Sequence, residues 1–210
     1  MIATKVHVVG ADRLITGIFL NKGYEIMMEQ EKADIVVFPG GADLAPEMYG
    51  EGYGGRRLYV NKAEDSRDKN AWSKLRDHQF RVGICRGGQF LNVMNGGKMY
   101  QHVSNHTRDH YVYDCVFNGV EPIKVTSTHH QMMIPTKEAE VLAYAEGIGE
   151  DFWTGAGMQS KPIFESEVLW YEKSKSLCFQ PHPEMTVQGT RLGQTDQCRK
   201  FFFDLIEVLR

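Results

Sequence analysis

The chain has 210 residues, 42% of them apolar, and a formal net charge of −3 from 24 Lys and Arg against 27 Asp and Glu. That size suits one compact α/β unit with a substantial core, so residues 1–210 are expected to form a single domain. Scattered basic residues exclude a basic nucleic-acid face, and no apolar run reaches the ~18 residues of a spanning helix, so neither nucleic acid nor membrane is an expected partner.

The opening Met1-Ile2-Ala3-Thr4-Lys5 lacks the apolar stretch of a signal peptide, and the cytoplasm is the expected compartment. Lys5 to Val9 predicts a short buried strand. Arg13 to Asn21 has helical spacing, ended by Gly23, and Tyr24 to Met28 predicts a weaker strand. Ala33 to Phe38 is a strong apolar strand stopped by Pro39-Gly40-Gly41. A loop rich in Gly, Pro and Tyr follows, and its glycines predict mobility. Lys62 to Gln79 predicts a helix with Ala71, Trp72 and Leu75 facing inward. Arg81 to Ile84 predicts a strand, and Gln89 to Asn95 a helix ended by Gly96-Gly97. Val112 to Ala145 is strand-rich, Val168–Tyr171 and Ser176–Phe179 predict two more strands, and a last helix runs from about Thr195 to Leu209. Strands and helices alternate in the first half, which favours a mostly parallel sheet covered on both faces.

Four cysteines fall at 85, 115, 178 and 198, with no Cys-x-x-Cys pair. Cys85 stands apart. In Gly83-Ile84-Cys85-Arg86-Gly87-Gly88-Gln89 a strand runs into the cysteine and a helix follows at once, as in a nucleophile elbow. Such a turn is too tight for side chains on its neighbours, and Gly83 and Gly87 lie two residues to either side. The first helical N–H groups would favour thiolate over thiol, and the Arg86 N–H can face a developing oxyanion. Taken alone, this pattern also fits a buried structural cysteine beside a glycine-rich turn.

A thiolate that cleaves amides needs a proton donor for the leaving amine. His182 follows the apolar strand Leu177–Phe179, between Pro181 and Pro183, which restrict the backbone on both sides. Glu184, two residues on, can bond the other ring nitrogen and set the tautomer. Alone, this too fits a stiff surface turn; beside a cysteine elbow it fits a base and its orienter. His102, His106 and His110 recur every four residues, a spacing at which histidines can share a cation. Tyr111-Val112-Tyr113 predicts a strand soon after, however, and no obvious carboxylate or cysteine completes the set. These are expected to be polar histidines near the pocket rim, and neither a metal nor a cofactor is expected.

Four blocks together resemble the class I glutamine amidotransferase superfamily, most closely its γ-glutamyl-γ-aminobutyrate hydrolases and related γ-glutamyl peptidases. They are Phe38 to Asp43 with Pro46 and Tyr49-Gly50-Glu51; Gly83 to Gln89 with Asn92 and Gly96-Gly97; Ser127-Thr128-His129-His130-Gln131; and Gln180 with His182-Pro183-Glu184. They occur in the family's order and span most of the chain. The resemblance implies a flavodoxin-like α/β fold with a cysteine nucleophile elbow. It implies Cys85 as nucleophile, His182 as general acid and base, and Glu184 as its orienter. It also implies an oxyanion hole from the Gly41 and Arg86 N–H groups, Gln89 beside the glutamyl group, and Ser127, His129, His130 and Gln131 along the substrate pocket. The implied activity is hydrolysis of the γ-glutamyl amide bond of glutamine or a γ-glutamyl amine through a glutamyl thioester. The alternative is a glutaminase subunit supplying ammonia to a separate synthetase or ligase chain. Pro181 stands where the family usually has an aromatic residue, a departure that bears on substrate choice rather than on the triad.

Overall fold

The computed structural model describes residues 3–117, 119, 121–186 and 196–210. Strand β1 (Lys5–Val8) leads to helix α1 (Arg13–Asn21), which Asp12 caps by accepting the Ile15 amide at 2.9 Å. Next come β2 (Glu25–Ile26), β3 (Ile35–Phe38), α2 (Lys62–Ser73), β4 (Phe80–Ile84) and α3 (Arg86–Met94). The middle carries β5 (Lys98–Tyr100), β6 (His102–Val103), β7 (His110–Asp114), β8 (Ile123–Val125) and β9 (Met132–Ile134). Then follow β10 (Glu140–Ala145), β11 (Phe152–Thr154), β12 (Gly157–Gln159), β13 (Glu165–Tyr171), β14 (Ser176–Phe179) and α4 (Gln197–Leu209).

The fold is the expected α/β architecture on a large central sheet, ordered β2-β1-β3-β4-β14-β13-β10-β7-β8. The first five strands are parallel neighbours, and the rest extend the sheet antiparallel. All four residues of β3 are buried, because helices cover both faces of the parallel block. Alternation sorts them. Ile35 and Val37 meet Ile15 and Phe19 of α1 and Phe202 and Leu205 of α4 on one face; Val36 and Phe38 meet Ala71 of α2 and Phe90 and Leu91 of α3 on the other. Each such fully buried apolar side chain stabilises the fold by about 1.5–3 kcal/mol relative to exposure. Two smaller sheets, β12-β11-β6 and β5-β9, lie beyond the main one. Among the described residues no helix is long and apolar enough to cross a membrane.

Several boundaries differ from expectation, among them the start of β13, expected at Val168 and found at Glu165. The helix expected to reach Gln79 ends at Ser73, because Gln79 is fully buried and gives its carboxamide to the Gln30 and Ala33 carbonyls at 2.7 and 2.9 Å. The strand expected over Tyr24–Met28 keeps only Glu25–Ile26, paired to Lys5 and Val6 at the sheet edge. Helix α3 begins at Arg86 rather than Gln89, since the turn at Cys85 feeds straight into it. The expected start of the last helix, Thr195, lies outside the described residues; the helix is described from Gln197, capped by Asp196.

The loop expected to be mobile is tied down. Gln101 accepts from the Gly54 amide at 2.9 Å and donates to the Gly52 carbonyl at 2.7 Å, while Glu51 accepts the Gly155 amide at 2.8 Å. A Cβ on Gly54 would lie 1.9 Å from the Thr154 carbonyl oxygen, so the close approach of loop to β11 requires glycine there.

Candidate active site

The parallel neighbours β3, β4 and β14 run in register, with Phe38 beside Gly83 and Phe179 beside Ile84. Their C-terminal ends therefore deliver Gly40-Gly41, Cys85 and His182 to one edge of the sheet, where open α/β sheets place their ligands. Cys85 occupies φ 50°, ψ −112°, a left-handed conformation that costs a non-glycine residue about 1–3 kcal/mol. The elbow survives because its surroundings fix it. The Cys85 amide donates to the Phe179 carbonyl at 2.8 Å. A Cβ on Gly83 would come within 2.3 Å of the Gly87 backbone, and one on Gly87 within 2.0 Å of the Phe38 carbonyl oxygen. The two glycines flanking the cysteine are thus required by backbone packing, and Cys85 sits at the start of α3, 8% exposed.

His182 lines the same cavity as Cys85, close enough for the charge on the sulfur to act on its ring. Its Nδ1 is 2.7 Å from Glu184 Oε1. Burial alone would lower its pKa, but the charge on Cys85 and the Glu184 carboxylate outweigh burial and push it up to about 10. The imidazole is further placed by Thr126, whose hydroxyl donates to the His182 carbonyl at 2.6 Å, and by Thr128, whose Oγ1 is 2.9 Å from Nε2. Gln180 Nε2 lies 3.7 Å from the Cys85 sulfur and its Oε1 accepts from Gln89 at 3.2 Å. Thr128 and Gln180 belong to blocks legible in the sequence, but their contacts with His182 and Cys85 were not expected.

A cavity of about 120 Å³ opens beside these groups, lined by Gly41, Ala42, Asp43, Cys85, Arg86, Gln89, Thr128 to Gln131 and His182. Both segments expected to form the oxyanion hole border it. The Arg86 side chain is turned away and buried, paired with Asp65 at 2.6 Å, with Asp68, and with Glu64 at 3.6 Å. Glu64 also accepts the Ala42 amide at 2.9 Å. Helix α2 therefore holds the Gly41 turn and the Arg86 turn with one set of carboxylates, an arrangement the sequence did not signal.

Of the remaining expected pocket residues, Gln89, His130 and Gln131 face the cavity. His130 Nε2 pairs with Asp43 Oδ1 at 2.9 Å, and this bond raises its pKa against the effect of burial. Gln131 accepts from the Leu44 amide at 3.3 Å, while its buried Nε2 has no hydrogen-bond partner. Ser127 corrects the expectation: it does not border the cavity, and its hydroxyl donates to the His106 carbonyl. His129 borders the cavity, but its ring is buried, with Nδ1 against the Gln131 carbonyl at 2.9 Å and Nε2 3.2 Å from Glu167. The histidines expected at the rim are also corrected. His106 and His110 are 0% and 7% exposed and gather with His129 around the buried Glu167, whereas His102 stands outside that group, 5.8 Å from His130 between ring centres. The carboxylate that the sequence seemed to lack comes from β13, about sixty positions further on.

The Peptidase C26 family model matches residues 18–150, more than half of the chain. The chain belongs to the Peptidase C26 family. Among curated proteins, the glutamine amidotransferase-like protein YvdE of Lactococcus lactis is 35% identical over 75 residues, 34% of this chain and 30% of that protein. The matched stretch thus spans under a third of that relative's length. Among solved structures, PurLQS from Thermotoga maritima aligns over 100% of both chains with a TM-score of 0.61 at 15% identity. A glutamine amidotransferase from Thermotoga maritima aligns over 89% of this chain and 78% of that chain, with a TM-score of 0.58 at 15% identity. These two likenesses concern the fold.

Proposed function

We propose that this Peptidase C26 protein hydrolyses γ-glutamyl amide bonds through a glutamyl thioester on Cys85. The observation that carries the proposal is the left-handed Cys85 at the start of α3, set against a His182 whose other nitrogen is held by Glu184 at 2.7 Å. Cys85 Sγ attacks the γ-carbonyl carbon, and the negative charge passes to the carbonyl oxygen, which the Gly41 and Arg86 N–H groups receive. The C–N bond breaks as protonated His182 gives its proton to the leaving amine. Water then attacks the thioester, His182 takes its proton, and the C–S bond breaks to release glutamate and restore Cys85.

Several features support a glutamyl head group. At about 120 Å³ the cavity is well below the ~300–1,000 Å³ of drug-sized pockets and suits a small substrate. Its walls offer an acidic group, Asp43, for an α-ammonium, and His130 for an α-carboxylate. The unpartnered Gln131 Nε2 adds a further donor, while Gln89, whose Nε2 already serves Gln131 and Gln180, offers its carbonyl oxygen. The loop that follows is clasped at its base by Asp43, whose carboxylate accepts the Tyr59 amide at 2.7 Å.

The test is to assay the isolated chain on glutamine and a panel of γ-glutamyl amines, with rapid acid quench and mass spectrometry for a glutamyl adduct on Cys85. Turnover with the adduct is expected. A chain inert on every amide tested, yet cleaving glutamine once a synthetase or ligase chain is added, would replace this proposal with a glutaminase subunit.

A further inference from the structure

We infer that His106, His110, His129 and Glu167 form a closed site for a divalent transition metal of the zinc type, behind the wall of the Cys85 cavity. One nitrogen from each ring and one carboxylate oxygen lie within 4.8 Å of one another, and all four residues are buried. They come from separate segments: His106 before β7, His110 at its start, His129 between β8 and β9, and Glu167 within β13.

The hydrogen bonding decides between a polar network and a cation. His110 Nδ1 and His129 Nδ1 each lie 2.9 Å from a backbone carbonyl, of Arg108 and Gln131. A carbonyl oxygen can only accept, so both Nδ1 atoms carry hydrogen. His106 Nε2 is 2.9 Å from Glu165 Oε2, whose carboxylate already accepts from the Gly149 amide at 3.1 Å. Each neutral ring therefore presents its other nitrogen as a lone pair. Those three nitrogens lie 3.1, 3.2 and 3.2 Å from Glu167 Oε1. None of them has a hydrogen-bond partner, and neither oxygen of Glu167 has one. The groups converge without pointing N–H bonds at one another, and lone pairs facing a buried carboxylate repel. A cation among them removes the repulsion and gives every atom a partner. Tetrahedral zinc with bonds of about 2.0–2.1 Å separates its ligand atoms by about 3.3–3.4 Å, close to the 3.1–3.2 Å from each nitrogen to Glu167 Oε1 and reached by a small inward shift of the rings from their present spread of up to 4.8 Å.

The outer partners fit as well. Metal-bound histidines usually donate their second N–H to a carboxylate or carbonyl, which fixes the tautomer, and Glu165 and the Arg108 and Gln131 carbonyls stand in those places. Three imidazoles and a carboxylate suit zinc rather than magnesium or calcium. Four protein ligands leave no open position, so the metal's role is structural. It fastens the antiparallel strands to the Ser127–Gln131 wall, and through the Glu167 carbonyl, which accepts the Gln180 amide at 2.8 Å, to the residue beside Cys85.

The experiment uses the full chain without a histidine tag. Elemental analysis by mass spectrometry should find about one zinc-type metal per chain in the wild type and equally in Cys85→Ala. Glu167→Gln and His110→Ala should lose it. Glu165→Gln, which leaves the ligands in place, should keep the metal but hold it with about 10–100-fold weaker affinity in competition with a chromophoric chelator. Should the ligand variants not fold, wild-type protein exchanged with cobalt(II) should still show the visible absorption of a tetrahedral N/O site. Three outcomes would overturn the inference: wild-type protein with no stoichiometric metal and no thermal shift on adding zinc or cobalt; metal lost in Cys85→Ala; or metal retained in folded Glu167→Gln and His110→Ala. None of these readouts depends on hydrolysis, so they stand apart from the fate of the proposed activity.

Discussion

Replacing Glu184 with Gln removes a charge and little else. Glu184 Oε1 is 2.7 Å from His182 Nδ1, and the amide oxygen of Gln can accept the same hydrogen, so tautomer and orientation persist. What is lost is the carboxylate's hold on the imidazolium. Raising an imidazole from its usual value to about 10 corresponds to roughly 5 kcal/mol of preference for the charged form, against the opposing effect of burial. The Cys85 charge outranks Glu184 among the causes that raise it. A charge-assisted hydrogen bond contributes about 1.5–3 kcal/mol, which places the expected loss in kcat/KM at roughly 10–100-fold. Removing the proton carrier itself, as in His182→Ala, should cost about 10²–10⁴-fold. The sign of the pH effect follows. A raised group keeps its proton until the pH climbs through its folded value, so activity that needs imidazolium should fall only in the alkaline range. Glu184→Gln lowers that value and moves the fall toward neutral pH. The assay is kcat/KM against pH on a γ-glutamyl amide, paired with iodoacetamide alkylation of Cys85 across the same range. An alkaline limb that does not move, or a loss as large as that of His182→Ala, would refute the reasoning.

Cys85→Ala should abolish turnover while the circular dichroism spectrum stays that of the wild type. Iodoacetamide followed by peptide mapping should label Cys85 first, because burial raises the thiol pKa of Cys178 and of Cys198, the latter to about 12, and also raises that of the more exposed Cys115. Gly87→Ala puts a methyl 2.0 Å from the Phe38 carbonyl oxygen, backbone that cannot yield; a loss of about 1–3 kcal/mol in urea unfolding is expected, and unchanged stability would count against the elbow geometry. Thr128→Val keeps shape but removes the hydroxyl 2.9 Å from His182 Nε2; kcat should change by roughly 2–10-fold with no change in melting temperature, as suits one exposed-side hydrogen bond.

The parallel block was legible because burial on both faces demands continuous apolar runs. Ile35-Val36-Val37-Phe38 and Ser176-Leu177-Cys178-Phe179 are such runs, and each ends directly in a block of the resemblance. The Cys85 elbow was legible for a related reason: its glycines have no freedom to be anything else. The histidine cluster was not. Spacing at 106 and 110 suggested a helix, but His110 opens a strand and His106 precedes it. His129 was absorbed into the pocket block, and Glu167 lay just before the strand expected from Val168, which in the structure begins at Glu165. A signal existed in that strand. Glu165 and Glu167 share one face at period two, immediately before the apolar Val168-Leu169, so both carboxylates had to turn the same way, and both are buried. What the sequence could not supply was the antiparallel pairing of β13 with β10 and β14, which decides that this face looks inward.

The segment between β8 and β9 ties the buried cluster to the cavity. Along it, Ser127 and His129 are buried, with their side chains on the His106 carbonyl and Glu167, while Thr128 and His130 are more exposed and reach His182 and Asp43. An extended chain that alternates in this way cannot move one set without the other. The parallel half of the sheet is held by two large apolar cores, and the site-bearing glycines, Cys85 and α3 rest on those. The facing wall runs between Val125, which belongs to the first of these cores, and Met132 and Met133, which pack respectively with Val103 and Phe152 and with the second core. Between those apolar anchors the segment meets the buried group of three histidines and a glutamate through His129. Buried polar groups hold a structure only when every member is satisfied, and a node left unsatisfied would loosen Thr128, His130 and Gln180 together. The wall that brings Thr128 to His182 therefore rests on two chemistries, apolar at Val125, Met132 and Met133 and polar at His129.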